Sequence, residues 1–209
     1  MSKRDYRLFI YGAGGHAKVI ADIAEQLGEP LTAAIDKNLL RKELLDQYPV
    51  YLNLDSIELF DTDQFIVAVG NNAYRKRIVE EELIGKQFAT LIHTSVQISS
   101  YADVEVGTVV MPGAVINVDT QIGRHCIINT GATIDHDCVI EDYVHISPNA
   151  SLAGNVLVGT GSHIGIGAVV IQGINIGKDC IIGAGSVIIR DVPSGCTVVG
   201  NPGRVINLK

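Results

Sequence analysis

From Ile98 onward the chain repeats with a period of six. Stepping by six gives Val104, Val110, Ile116, Ile122, Ile128, Ile134, Ile140, Ile146, Leu152, Val158, Ile164, Val170, Ile176, Ile182 and Ile188, all aliphatic and without an insertion. An amphipathic helix would repeat near 3.6 and an ordinary strand near 2. A six-residue period with one large aliphatic per unit instead predicts a parallel β-helix of short strands and tight corners, with three strands to a coil of about 18 residues. The run is long enough for about five such coils, each rising by the inter-strand spacing of ~4.8 Å.

Four residues beyond most of these aliphatics stands a small side chain: Ala102, Thr108, Ala114, Thr120, Cys126, Ala132, Cys138, Ala150, Ser162, Ala168, Cys180 and Ser186. The register therefore makes Cys126, Cys138 and Cys180 buried packing residues rather than reactive thiols. No CxxC pair occurs among the four cysteines, so neither a zinc site nor a disulfide framework is indicated.

The first part of the chain is built differently. Residues 1–97 hold 25 charged residues and all four Phe, whereas residues 98–209 hold 14 charged residues and 16 of the 22 Gly. The break falls near "LIHTSVQIS", and two domains are expected, residues 1–92 and 93–209. In the first, "RLFIYG", "LTAAID", "QFIVAVG" and "ATLIH" are predicted strands. "HAKVIADIAEQLG" (16–28) and "NAYRKRIVEEELIGK" (72–86) are predicted helices. Strand–helix–strand order implies an α/β, Rossmann-like domain with a parallel sheet and ligands at the carboxyl ends of its strands.

"YGAGGHA" supplies Gly12, Gly14 and Ala17 in the G-x-G-x-x-G/A spacing, between a strand and a helix, and Asp36 ends the next strand. Such a turn lets backbone N–H groups approach a phosphate at a helix N-terminus. It points to a phosphorylated nucleotide without selecting NAD, for which no nicotinamide-side catalytic residue is found. Asp36 could hold a ribose hydroxyl, and His16 could donate to a ligand or stand as a plain polar surface residue. "VGNNAYR" repeats the layout with Gly70 before a helix, where an Asn cap would explain one of the two Asn.

The net charge of −7 argues against a nucleic-acid partner. No apolar run has the length of a membrane span, and the first residues lack a signal-peptide layout, so a cytoplasmic protein is expected. Against this background "INTGATIDHDC" (128–138) is unusual, because Asp135, His136 and Asp137 stand together in a charge-poor repeat. His136 and His145 are nine residues apart, half a coil, which puts them on different sides of the prism. His145 and His163 are 18 apart and should stack. If β-helices associate side by side about a parallel axis, residues half a coil apart can meet across the interface.

The hexapeptide array, "GAGGHA", "VGNN", "INTGATIDHDC", "VHISPNASLAGNV" and the closing "VVGNPGRV" together resemble the NeuD-type sugar acetyltransferases. Within that family the similarity is greatest to the nucleotide-4-amino-sugar N-acetyltransferases of the bacillosamine and perosamine type. The resemblance covers nearly the whole chain. It implies a left-handed β-helix, a homotrimer, acetyl-CoA bound between adjacent β-helices, and a nucleotide-linked amino sugar held by the N-terminal domain. It assigns His136 as the base and Asp137, often Glu in the family, as the acid beside it. It assigns His145 to the thioester region and Ile166 and Ala184 to the pantetheine arm. Gly14, Gly15, His16, Asp36, Lys37 and Gly70 correspond to nucleotide-sugar contacts.

The chemistry agrees with this assignment. An amine attacks a thioester only when unprotonated, and a His near neutral pH can remove its proton. An adjacent carboxylate raises the basicity of the imidazole and fixes its tautomer. Asp135 is a second candidate for that partner. Neither a metal nor a covalent intermediate is required. Two other functions are compatible with the same motifs: acetylation of a sugar hydroxyl, and a non-catalytic nucleotide-sugar-binding scaffold.

Overall fold

A computed structural model describes residues 5–38 and 42–208. Contacts divide the chain into two compact units, Met1–Thr94 and Ser95–Lys209. No helix among the described residues is long and apolar enough to cross a membrane.

The first unit is built on a six-stranded sheet. Strand β1 (Leu8–Tyr11) leads into α1 (Gly15–Gln26), followed by β2 (Leu31–Ile35), a hairpin of β3 (Glu43–Leu44) and β4 (Tyr48–Tyr51), β5 (Gln64–Val67), α2 (Asn72–Arg77) and β6 (Gln87–Phe88). The sheet order is β3-β4-β2-β1-β5-β6, parallel throughout except for the β3–β4 pair. Every residue of β1 is buried, as expected of a central parallel strand covered on both faces. Phe9 pairs with Phe65 across the ladder, and their rings stack with centroids 5.5 Å apart. Helix α1 buries Ala17, Ile20, Ala21, Ile23 and Ala24, a face of mostly small residues that lets it lie close to its packing partners.

Two expectations for this unit are corrected, and one hairpin had no expectation. The β3–β4 hairpin was not signalled, because its strands are short and its turn places Leu45 and Asp46 at positive φ without a glycine. The second helix does not reach 86: six α-helical residues pass into a π-helical turn, Ile78–Glu82, and Gly85 lies in the left-handed region. The final strand over 89–93 is instead two two-residue strands, Gln87–Phe88 and Leu91–Ile92. The first of these pairs with β5.

The second unit is a parallel β-helix in the predicted register. Its strands are two residues long, and strands 18 residues apart pair, as Ile127 does with His145 and His145 with His163. Three faces result. One carries Val109–Val110, Ile127–Ile128, His145–Ile146, His163–Ile164 and Ile181–Ile182, and ends in the antiparallel pair Cys196–Val199 and Arg204–Leu208. The second runs from Gln97–Ile98 through Thr133–Ile134 to Val187–Ile188. The third runs from Asp103–Val104 through Val139–Ile140 to Asn175–Ile176. From Val110 to Ile188 every stepped aliphatic is at most 2% exposed; Ile98, in the first coil, is 37% exposed.

The small slot is also buried, and its polar members are chosen chemically. Thr108, Thr120 and Ser162 donate to the carbonyls of Gly123, Asp135 and Gly177, each fifteen residues on. Cys126 and Cys138 make the same thiol contact with the carbonyls of Glu141 and Ala153. All four cysteines are buried, with no disulfide among the described residues, and burial pushes the thiols of Cys138 and Cys180 up. The corners carry a second six-residue rule. Positions 107 to 185, stepped by six, all have φ between 53° and 78°. Gly, Asn and Asp hold most of these left-handed sites, as their small or locally bonded side chains allow.

Candidate active site

The carboxyl ends of β1, β2 and β5 open onto a cavity of about 300 Å³. All six residues expected at a nucleotide-sugar site, Gly14, Gly15, His16, Asp36, Lys37 and Gly70, line it. Gly14 caps α1 at φ −79°, and neither Gly14 nor Gly15 has an atom within 4 Å of an added Cβ. Their missing side chains therefore leave the cavity open rather than relieve backbone strain. Gly12 differs: at φ 109° its added Cβ would stand 3.0 Å from the Ala68 carbonyl. Asp36 accepts from the N–H groups of Ala13 and Asn38, one on each carboxylate oxygen, so it fastens the glycine turn to the end of β2.

His16 is half-buried, and its Nε2 is enclosed without a hydrogen-bond partner among the described residues. Burial first, then the charge of Arg75, push its pKa down to about 4, so the ring is neutral. Arg75 was not anticipated as part of this region. It is 1% exposed and donates to the carbonyls of Val69 and Gly70 and to Asn72 Oδ1, which fixes the second glycine turn from beneath. Asn71 caps α2 by accepting from the Tyr74 N–H.

In the β-helix, His136 follows the Thr133–Ile134 strand at the corner between the second and third faces. Its Nδ1 lies 2.6 Å from Asp137 Oδ2, and both side chains are more than half exposed. Donation from Nδ1–H to the carboxylate leaves the Nε2 lone pair to accept a proton. The hydrogen bond to Asp137, with the charge of Asp135, raises the pKa of His136 above its ordinary value. Asp137 sits at φ 58°, in the left-handed corner position, a site suited to Asp. Asp135 accepts from the His136 N–H and from Asn117 Nδ2, so it supports the corner rather than touching the ring. The His136 ring lies over Gly154, one coil on, where an added Cβ would stand 2.5 Å from Cε1.

His145 lies within the first face, which is opposite the corner that carries His136, so one chain does not bring the two rings together. It is 9% exposed, and its ring stacks on His163 with centroids 4.6 Å apart and planes 3° from parallel. Asn129 Oδ1 accepts from the Thr130 N–H, leaving Nδ2 to donate to His145 Nε2 at 3.1 Å. Asn129 was not anticipated as a partner of His145; its place one coil below Ser147, next to that strand, could have indicated it.

Ile166 and Ala184 stand one coil apart at the corner between the first and second faces, and both are exposed. In the same column Pro112 and Pro148 have no N–H, and the Thr130 N–H is taken by Asn129. The Ile166 and Ala184 amides carry no hydrogen bond among the described residues, so this edge has two donors about 5 Å apart.

Comparison with known proteins agrees with this architecture. Residues 7–81 match the PglD N-terminal domain, and residues 119–154 match the bacterial transferase hexapeptide (six repeats). A perosamine N-acetyltransferase mutant from Caulobacter crescentus, solved with CoA and GDP-perosamine, is 36% identical with a TM-score of 0.90, and the match covers 96% of each chain. This chain belongs to the PglD-type sugar N-acetyltransferase family. The acetyltransferase domain of PglB from Neisseria gonorrhoeae, another solved member, is 37% identical with a TM-score of 0.89, over 96% of this chain and 99% of that one. The UDP-N-acetylbacillosamine N-acetyltransferase of Bacillus subtilis is 44% identical over 107 residues. That match spans 49% of this chain and about half the length of the relative, 50%.

Proposed function

We propose that the protein transfers acetyl from acetyl-CoA to the amino group of a nucleotide-linked 4-amino-4,6-dideoxy sugar, with His136 as general base. The observation that carries this reading is the His136–Asp137 pair, 2.6 Å apart at an exposed corner, with the acid on Nδ1 and Nε2 left for substrate. The sugar amine nitrogen attacks the thioester carbonyl carbon, and His136 Nε2 takes the amine proton. Collapse of the tetrahedral intermediate breaks the C–S bond, and the imidazolium returns the proton to the departing CoA sulfur. General base catalysis of this kind contributes ~10²–10⁴-fold. His145 contributes a contact to the thioester region, and Asp137 holds the tautomer and orientation of His136.

The N-terminal cavity takes the nucleotide. Its glycine turn and the start of α1 suit the diphosphate. The amides of Ile166 and Ala184 suit the carbonyl groups of a pantetheine arm running along the β-helix. The protein acts as a homotrimer, the state that the family resemblance implies; His136 and His145 occupy opposite sides of one chain, and a neighbouring copy would bring them to one substrate. The deciding experiment incubates the protein with acetyl-CoA and UDP-, GDP- or dTDP-linked 4-amino sugars and follows thiol release. Rapid release with one amino sugar, and none with its 4-hydroxy counterpart, is the expected result. Turnover only on hydroxyl sugars would replace the reading with O-acetyl transfer, and no turnover with any would remove it.

A further inference from the structure

Helix α2 buries Arg75, the π-helical turn after it buries Ile78 and Val79, and Leu83 just beyond is also buried. Glu82 is half-buried, although Glu80 and Glu81 beside it point to solvent. The π-helical turn Ile78–Glu82, closed by donation from the Leu83 N–H to the Ile78 carbonyl, sets its position. Turns of this type recur at functional sites. The Glu82 side chain is 17% exposed and has two partners. One is the hydroxyl of Tyr11, a buried residue at the end of β1, which donates to it. The other is the ammonium of Lys37, 2.9 Å away, just past the end of β2. Tyr11 and Lys37 both line the nucleotide cavity; Glu82 does not.

We infer that Glu82 is a positioning residue for the nucleotide site: it holds the Lys37 ammonium at the cavity wall in the rotamer that meets the nucleotide. The inference rests on the assignment of this cavity to a nucleotide. The physical reason is the freedom of lysine. Lys37 is 54% exposed, and an untethered four-carbon stem would lose rotamer freedom on meeting a ligand. Glu82 removes much of that freedom before binding, because it is itself fixed by Tyr11. Burial alone would push the Glu82 carboxyl up, but the hydrogen bonds from Tyr11 and Lys37, with the charges of Lys37 and Arg77, hold it below the usual range and therefore ionised. Stabilisation of the fold is a poor explanation for the Glu82–Lys37 contact, since an ion pair with one exposed partner contributes little.

The test is a double-mutant cycle read by calorimetry with UDP, GDP and dTDP alone as probes. Glu82→Gln keeps an acceptor for Tyr11 and removes the charge that tethers Lys37. It is expected to weaken binding of the preferred nucleotide roughly three- to thirty-fold, the range of a direct coupling. In a Lys37→Met background the same change should alter binding less than about two-fold. Acetyl-CoA affinity should not change in any variant. Equal nucleotide binding by Glu82→Gln and the unmodified protein overturns the inference. So does an undiminished effect of Glu82→Gln in the Lys37→Met background, or a parallel loss of acetyl-CoA affinity, either of which marks a merely structural role. If the unmodified protein binds none of the three nucleotides, the cavity assignment fails first and the inference falls with it.

Discussion

His136 lies against Gly154, the residue one coil above it. A Cβ built on Gly154 would stand 2.5 Å from Cε1 and 2.6 Å from Nε2 of the imidazole. Gly154 is not among the left-handed corner residues, so backbone conformation does not require glycine there. The space is needed by the ring. Gly154→Ala should leave the melting temperature nearly unchanged, because an exposed ring can swing aside. It should lower kcat/KM by about 10- to 100-fold, the cost of a base moved by about an ångström. Unchanged kcat/KM would show that the ring position over Gly154 is not the working one.

The pH dependence should report the Asp137 contact. The base works only when unprotonated, and the hydrogen bond that its Nδ1–H donates to Asp137, with the charge of Asp135, holds the pKa of His136 above its ordinary value. Thus kcat/KM should fall as pH drops through that raised value. In Asp137→Asn that fall should move to lower pH, since the neutral amide stabilises the imidazolium less. His136→Ala should lose at least ~10² in kcat at pH 7. An acid limb at the same pH in Asp137→Asn would detach Asp137 from the titration of the base.

The opposite placement of His136 and His145 gives an assembly prediction. His136→Ala and His145→Ala chains, each severely impaired alone, should partly recover activity when dissociated, mixed and reassembled. Some interfaces would then pair an intact His136 with an intact His145 of the neighbour. Native mass spectrometry would establish that mixed trimers formed. Mixed trimers without recovered turnover, or a monomer by sedimentation, would exclude a shared site.

Gly14→Val tests the division of ligands between the two units. A Cβ there meets no atom within 4 Å, and the residue's φ is negative, so the first unit should still fold. The added methyls would enter the nucleotide cavity. Nucleotide-sugar affinity should drop by at least about ten-fold, while acetyl-CoA affinity stays unchanged. Equal loss of both by calorimetry would contradict the division.

The β-helix was legible because its physics is periodic. Each inward aliphatic from Val110 to Ile188 meets the one 18 residues away, so sequence spacing is spatial neighbourhood. The same logic placed Cys126, Cys138 and Cys180 in the interior and His163 on His145. The six expected residues of the N-terminal cavity were legible through the glycine turn, the second turn at Gly70, and the family motifs around them. The β3–β4 hairpin was not, because its turn gives no glycine signal; nor was the π turn after α2, because a run of Glu and apolar residues reads as one continuous helix.

By itself, then, the sequence determined the coil, its register and the chemical types gathered at each site, since these follow from local spacing and side-chain identity. Tertiary structure alone decided how those groups are held. Glu82 reaches Lys37 and Tyr11 from three separate elements, Arg75 turns inward beneath Gly70, and Asn129 orients His145 from the strand below. Gly154 makes room for His136 by lacking a side chain, a role that its place in "VHISPNASLAGNV" does not reveal. Such contacts depend on distances between backbones that are remote in sequence and on which face of a helix or coil a side chain leaves, and those are settled only when the elements pack.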